Sequence, residues 1–133
     1  MMRYLGIDYG EKRVGVAISD ETNTLALPKA VLPNDAALIP TIQSIIKEES
    51  ISDVVIGESN DRKNTPNPIM KRIAKFKEVL GHESNVAMHY ESEFYTSIEA
   101  ERLQGKSAMG DASAAALILK SFLEKKHDLD RRL

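Results

Sequence analysis

Residues 4–19 read YLGIDYGEKRVGVAIS, two short apolar runs on either side of a polar turn. The runs at 4–8 and 14–19 have the length and the aliphatic content of β-strands. Gly10 supplies the permissive backbone that a tight turn between them needs. The chain is therefore predicted to open with a β-hairpin, whose first strand ends on the carboxylate of Asp8.

The next segments predict a third strand, a helix and a strand. The third strand is expected at 25–32, where Pro28 indicates an edge or a bulge. Residues 35–49 carry apolar side chains at helical spacing. The apolar run at 53–57 has no alternation, which is typical of a strand covered on both faces.

The second half predicts helices around one more strand. Asn67 and Pro68 are expected to start a helix that stops at Gly81, and a strand follows at 85–90. A capping box starts a short helix at 96–105, and the last helix starts near Gly110. The order β-β-β-α-β-α-β-α-α predicts an α/β domain in which helices pack on a five-stranded mixed sheet.

The composition favours one intracellular domain. The chain has 133 residues, which is the size of a typical single domain. It has no cysteine, which excludes disulfides and thiolate metal sites and suits the cytoplasm. The N-terminus is too polar for a signal peptide, and no apolar run is long enough to span a membrane. We expect the domain to cover residues 1–126, followed by a charged C-terminal tail at 127–133 that frays from about residue 125.

Four carboxylates lie where the pattern places the ends of elements: Asp8, Glu58, Glu93 and Asp111. Carboxylates that converge repel one another, and a hard divalent cation such as Mg²⁺ or Mn²⁺ is the usual means of holding them together. Two such ions can assist the hydrolysis of a phosphodiester. Each acid also has an ordinary explanation, since a strand-end Asp can form a turn, Asp111 can cap a helix, and a loop Glu is commonly solvated.

The ordered motifs resemble the YqgF/RuvX family, a RuvC-like branch of the ribonuclease H fold. The similarity rests on GIDYG at 6–10, KRVGVAISD at 12–20, DVVIG at 53–57, TSIEA at 96–100 and DASAAALIL at 111–119. It extends from about residue 3 to residue 126. The resemblance implies a nuclease of structured nucleic acid, named in this family both as a Holliday junction resolvase and as a nuclease of the 5′ end of pre-16S ribosomal RNA.

The resemblance also implies metal ligands. Asp8 matches the first-strand acid and Asp111 matches the acid of the final helix. Counting back from Glu99 places the acid of a family Asp-Glu-Arg stretch on Glu93, whose neighbours here are Ser92 and Phe94. Glu58 stands where RuvC-like resolvases have an acid after the central strand.

Basic side chains are candidates for binding nucleic acid, although the net charge of the chain is −2. Lys12 and Arg13 lie in the first turn. A segment without acids, residues 62–77, carries six more: Arg62, Lys63, Lys71, Arg72, Lys75 and Lys77. These residues could follow the phosphates of a substrate, or they could form an ordinary solvated helix face.

The leading hypothesis is therefore a Mg²⁺- or Mn²⁺-dependent endonuclease acting on ribosomal RNA precursor or branched DNA. The altered stretch around Glu93 supports an alternative, a non-catalytic protein that binds nucleic acid or ribosome-assembly intermediates. A third reading, an actin-like or sugar-kinase-like phosphotransferase, is weak because 133 residues supply only one of the two domains needed. The sequence does not distinguish DNA from RNA, or a monomer from a homodimer.

Overall fold

The computed structural model describes residues 2–59, 67–92 and 110–132. Its strands are β1 (Arg3–Tyr9), β2 (Arg13–Ser19), β3 (Ala26–Pro33), β4 (Ile51–Glu58) and β5 (Ala87–Ser92). Its helices in these ranges are α1 (Leu38–Glu48), α2 (Met70–Ser84) and α3 (Gly110–Arg132). The short helix predicted at 96–105 lies outside the described residues.

The strands form one sheet in the order β3-β2-β1-β4-β5. The first three strands are antiparallel neighbours, whereas β1–β4 and β4–β5 are parallel. The predicted five-stranded mixed sheet is confirmed. In the described ranges no helix is both long and apolar enough to cross a bilayer.

Each face of the sheet is covered by a different set of helices. Ile7, Val16 and Ile56 point toward α1 and α2 and form the larger apolar core with them. Ala17 and Val55 point the other way and pack against α3. Because side chains alternate along a strand, this division assigns every strand position to either the α1/α2 face or the α3 face.

Glycines allow α3 to approach the sheet closely. A Cβ on Gly6 would lie 2.8 Å from both the Ala115 carbonyl oxygen and the Leu119 Cβ. A Cβ on Gly15 would overlap the carbonyl of Asp111, the second residue of α3. These two positions, on β1 and β2, therefore fix where the helix crosses and where it begins.

The end of α2 departs from the prediction. Gly81 was expected to stop the helix, but α2 continues to Ser84 and ends on Asn85, whose φ of 52° is the left-handed conformation typical of a C-cap. Gly81 packs instead against Met88, since an added Cβ would lie 2.8 Å from the Met88 Cγ. The N-terminal bound differs too: helix α2 begins at Met70, after a turn in which the Met70 N–H donates to the Asn67 carbonyl.

Helix α3 continues to Arg132, through the C-terminal segment that is expected to fray from about residue 125. Lys126 lies 3.7 Å from Asp130, one turn further along the helix. The ring of His127 is hydrogen-bonded through Nε2 to the carbonyl of Asn23, at 2.8 Å, which ties the last turns of α3 to the β2–β3 loop.

Replacing Gly15 by alanine should destabilise the fold, since the rigid main chain of α3 occupies the space of the new methyl group. We expect Gly15→Ala to lower the free energy of unfolding by about 1–3 kcal/mol, the usual range for overpacking. Urea unfolding followed by circular dichroism measures it.

Gly81→Ala is the matched control. There the added methyl group would lie 2.8 Å from the Cγ of Met88, whose flexible side chain can shift. Alanine also stabilises the interior of a helix by about 1 kcal/mol relative to glycine. Its unfolding midpoint should equal or exceed that of the wild type. If the two variants unfold together, the contact between α3 and β2 does not constrain the fold as described.

Candidate active site

Asp8 and Asp111 lie on the same face of the sheet. Asp8 is the direct cross-strand partner of Gly15 in the β1–β2 ladder, and directly opposed positions share a face with about 4.5–5.5 Å between them. Asp111 sits immediately above Gly15, because its carbonyl occupies the place of a Gly15 side chain. The start of α3 is thus brought beside Asp8 although the two residues are far apart in the chain.

A cation already neutralises Asp111. Arg13 begins β2 on the α3 face, and its Nε lies 3.1 Å from the Asp111 Oδ2. The Arg13 side chain is well exposed, so the pair contributes little to stability and the guanidinium can move when another cation or a phosphate arrives. Lys12 is exposed in the adjoining turn, where its carbonyl accepts the Asn34 N–H.

A third carboxylate on this face, Glu91, was not among the predicted site residues. Ladder partners on β4 and β5 place Glu91 opposite Gly57. One step along the parallel β1–β4 ladder, Gly57 follows Ile56, the partner of Ile7, and so lies next to Asp8. Glu91 and Asp8 therefore lie in one row across the sheet, two strand spacings or roughly 9–10 Å apart, with only a glycine between them.

Glu91 is a buried acid that is only half satisfied. Its side chain is 7% exposed, and its Oε1 accepts a 2.9 Å hydrogen bond from the Lys125 Nζ. The other oxygen, Oε2, is buried and has no hydrogen-bond partner in the part of the chain that the structure describes. Burying a carboxylate oxygen without a hydrogen bond costs free energy, and a cation or a hydrogen-bond donor that binds to this oxygen would recover that cost.

Glu58 lies on the opposite face of the sheet from Asp8. It is two residues after Ile56, which packs toward α1 and α2, and its ladder partner on β5 is Ser92. Tyr90 shares that face, and burial, with a smaller contribution from the Glu58 carboxylate, raises the pKa of its phenol. The strand register therefore separates Glu58 from the face that holds Asp8 and Asp111.

The predicted basic residues divide between described and undescribed parts of the chain. Lys71 and Arg72 are exposed on the first turn of α2, and the Arg72 guanidinium lies 5.9 Å from the centre of the Tyr9 ring. Arg62 and Lys63 lie outside the described residues, as does Glu93.

No three His, Asp or Glu side chains come close enough to hold a metal ion within 2–59, 67–92 and 110–132. Asp8, Glu91 and Asp111 nevertheless share one face and one end of the sheet. Glu91 is the buried position of β5, but counting backwards from Glu99 leads to Glu93 instead, and no local pattern singles out Glu91.

Comparison with known proteins agrees with this architecture. The chain is 31% identical over 134 residues to a protein of Caldanaerobacter subterraneus subsp. tengcongensis, with 92% of this chain and 96% of the relative covered. A relative from Nitratidesulfovibrio vulgaris is 33% identical over 132 residues, with coverage of 92% and 93%. Both relatives carry the provisional name pre-16S rRNA nuclease.

Among solved structures, T. thermophilus RuvC in complex with a Holliday junction substrate superposes with a TM-score of 0.63 at 12% identity, covering 95% of this chain and 96% of that chain. This likeness confirms the predicted RuvC-like, ribonuclease H-like fold. A sequence model of the RuvX family, described as a Holliday junction resolvase, matches residues 2–125. The chain therefore belongs to the RuvX family.

Proposed function

We propose that this protein is a divalent-metal-dependent endonuclease that processes the 5′ end of pre-16S ribosomal RNA. The observation that carries the proposal is the common face of Asp8 and Asp111, created where α3 begins against Gly15. The names of the two relatives support the substrate. A four-way DNA junction is the second candidate, favoured by the fold shared with a RuvC that binds one.

The donor chemistry of this face fits Mg²⁺ or Mn²⁺. Asp8 and Asp111 offer hard carboxylate oxygens, and the partnerless Oε2 of Glu91 offers a third. Gly57, the residue between Asp8 and Glu91 in this row, has no side chain of its own to separate the two carboxylates. Such a cation would supply a reactive water and stabilise charge as a phosphodiester is hydrolysed.

Basic residues of this chain bind and orient the substrate in the proposal. Lys12 and Arg13 stand at the turn beside Asp8, where they can neutralise a phosphate that approaches the carboxylates. Arg13 has two roles: it pairs with Asp111 in the absence of substrate, and it contacts a phosphate when one is bound. Lys71 and Arg72, which are exposed on α2, add cations for backbone recognition, and the charges of Arg62 and Lys63 suit the same role.

Asp8→Asn and Asp111→Asn should abolish cleavage of a pre-16S ribosomal RNA fragment in Mn²⁺. We expect a loss of more than about 100-fold, since changing outer-shell partners of a metal typically costs about 10–100-fold and these residues are proposed as ligands. Gel-based cleavage assays with RNA and with junction DNA in parallel measure it, with chelator as the metal-free reference.

Glu58→Gln provides the matched control, because it removes one carboxylate at the same end of the sheet but on the other face. It should retain most of the activity. Equal losses in Glu58→Gln and Asp8→Asn would contradict the assignment to the α3 face. Salt-dependent binding without any metal-dependent cleavage by the wild type would favour the non-catalytic alternative.

The identity of the third carboxylate has its own test. Glu91→Gln should weaken Mn²⁺ binding in titration calorimetry by about 10-fold or more, because a neutral amide replaces an anionic ligand. Lys125→Met breaks the ion pair but keeps the carboxylate, so it should preserve or strengthen Mn²⁺ binding. Weaker binding by Glu93→Gln alone would instead support the acid predicted from the sequence.

A further inference from the structure

A cavity of about 310 Å³ opens at the same end of β1 as Asp8, on the opposite face of the sheet. It lies between the start of α1 and the first turns of α2, with Tyr9 of β1 at its inner wall. Leu38, Ile39 and Phe76 provide apolar surface. A volume near 300 Å³ is at the small end of ligand pockets and suits one planar group.

The inner wall is aromatic and its rim is basic. The rings of Tyr9 and Phe76 pack at a centroid distance of 5.0 Å, which holds the Tyr9 ring in place. Arg72 lies over the Tyr9 ring, and Lys75 joins it at the rim, both exposed on α2. Planar aromatic surface beside exposed cations is the combination that proteins use to bind a nucleobase and its phosphate.

The polar groups at the other side of the cavity are already engaged. Asp35 is the acid among the residues that line it, and its Oδ1 accepts the N–H of Ala37 at the start of α1. The side-chain amide of Asn34 donates to the Gly10 carbonyl, at 2.8 Å, and so fixes the turn between β1 and β2. Arg72 and Lys75 therefore give the cavity a positive balance despite Asp35.

The cavity is within reach of a strand bound at Asp8. Asp8 and Tyr9 are consecutive residues whose side chains point to opposite faces of the same strand end. Their Cα atoms are about 3.8 Å apart across the peptide bond. A polynucleotide that passes over this end of the sheet can therefore contact both faces with neighbouring nucleotides.

We propose that this cavity receives a nucleotide of the substrate strand next to the phosphate held at Asp8, with its base replacing the Arg72 guanidinium over the Tyr9 ring and its phosphate held by Arg72 and Lys75. The proposal rests on the proposed function for the identity of the strand. It assigns to the α1/α2 face a recognition role that is separate from the carboxylates of the α3 face. The site reads the planarity of a base, so it tolerates different base identities.

The test is a fluorescence titration with a short single-stranded RNA that carries one 2-aminopurine, performed in chelator so that no bond is cut. Stacking on Tyr9 should quench the fluorophore to saturation. Tyr9→Phe should retain the quenching, whereas Tyr9→Leu, which keeps apolar contact with Phe76, should lose it. Affinity should fall by about 5- to 150-fold in Tyr9→Leu, the range of one base stack.

Two charge variants of α2 serve as a matched pair. Lys75→Ala removes a rim cation and should weaken binding severalfold. Lys77→Ala makes the same charge change two residues later, about 200° around the helix, where the ammonium lies 5.0 Å from the centre of the Tyr90 ring. It should bind like the wild type, and equal losses in both variants would reduce the effect to overall charge and overturn the site.

The outcomes separate this proposal from the proposed function. Quenching that depends on Tyr9 in a protein without metal-dependent cleavage supports the cavity and rejects the nuclease. Normal cleavage with wild-type quenching in both Tyr9→Leu and Lys75→Ala overturns the cavity alone. Adenosine monophosphate should compete only weakly; if it binds as tightly as the RNA, the cavity takes free nucleotides and the assignment to a substrate strand is wrong.

Discussion

The close approach of α3 to Gly15 determines where the chemistry of this molecule can lie. Because β2 has no side chain at that position, the first turn of α3 rests directly on the sheet, and Asp111 is delivered beside the cross-strand partner of Gly15, which is Asp8. A larger residue at this position would overlap the main chain of α3 and force the helix away from the sheet. The proximity of Asp8 and Asp111, which are about a hundred residues apart in the chain, thus depends on the absence of a side chain at Gly15. Gly6 allows a similar close approach further along α3, at Ala115 and Leu119.

The two faces of the sheet present different side chains at the same end of β1. Alternation along β1 sends Asp8 to the α3 face and Tyr9 to the α1/α2 face, so the proposed metal ligand and the proposed base-stacking residue are neighbours in sequence without sharing a surface. The same rule separates Glu91 from Glu58, which end adjacent parallel strands but face opposite ways. A one-residue slip of register in β4 or β5 would move the acid of that strand to the other face of the sheet.

Much of the fold follows from local patterns, but the candidate site follows from them only in part. Asp8 and Asp111 are predicted as ligands because strand ends and helix starts are visible in the sequence, and the structure places both on one face of the sheet. Glu91 was missed because its importance depends on the register of β5 against Gly57, which no local pattern encodes. The helix stop predicted at Gly81 was wrong for a related reason. Gly81 lies inside α2 against Met88, and a contact between a helix and a strand is visible only in the tertiary structure.

The negative charges of the α3 face repel one another, and two of the acids there have a cationic side chain of this protein as a partner. Asp111 is paired with Arg13, and Glu91 with Lys125. Both cations lie on long, exposed side chains that reach their carboxylate partners from the surface. A buried arginine or lysine would satisfy the acids permanently and exclude a competing ion. The long side chains of Arg13 and Lys125 therefore neutralise two acids of this face, and the Glu91 Oε2, which has no hydrogen-bond partner among the described residues, is the oxygen that would gain most from a bound cation.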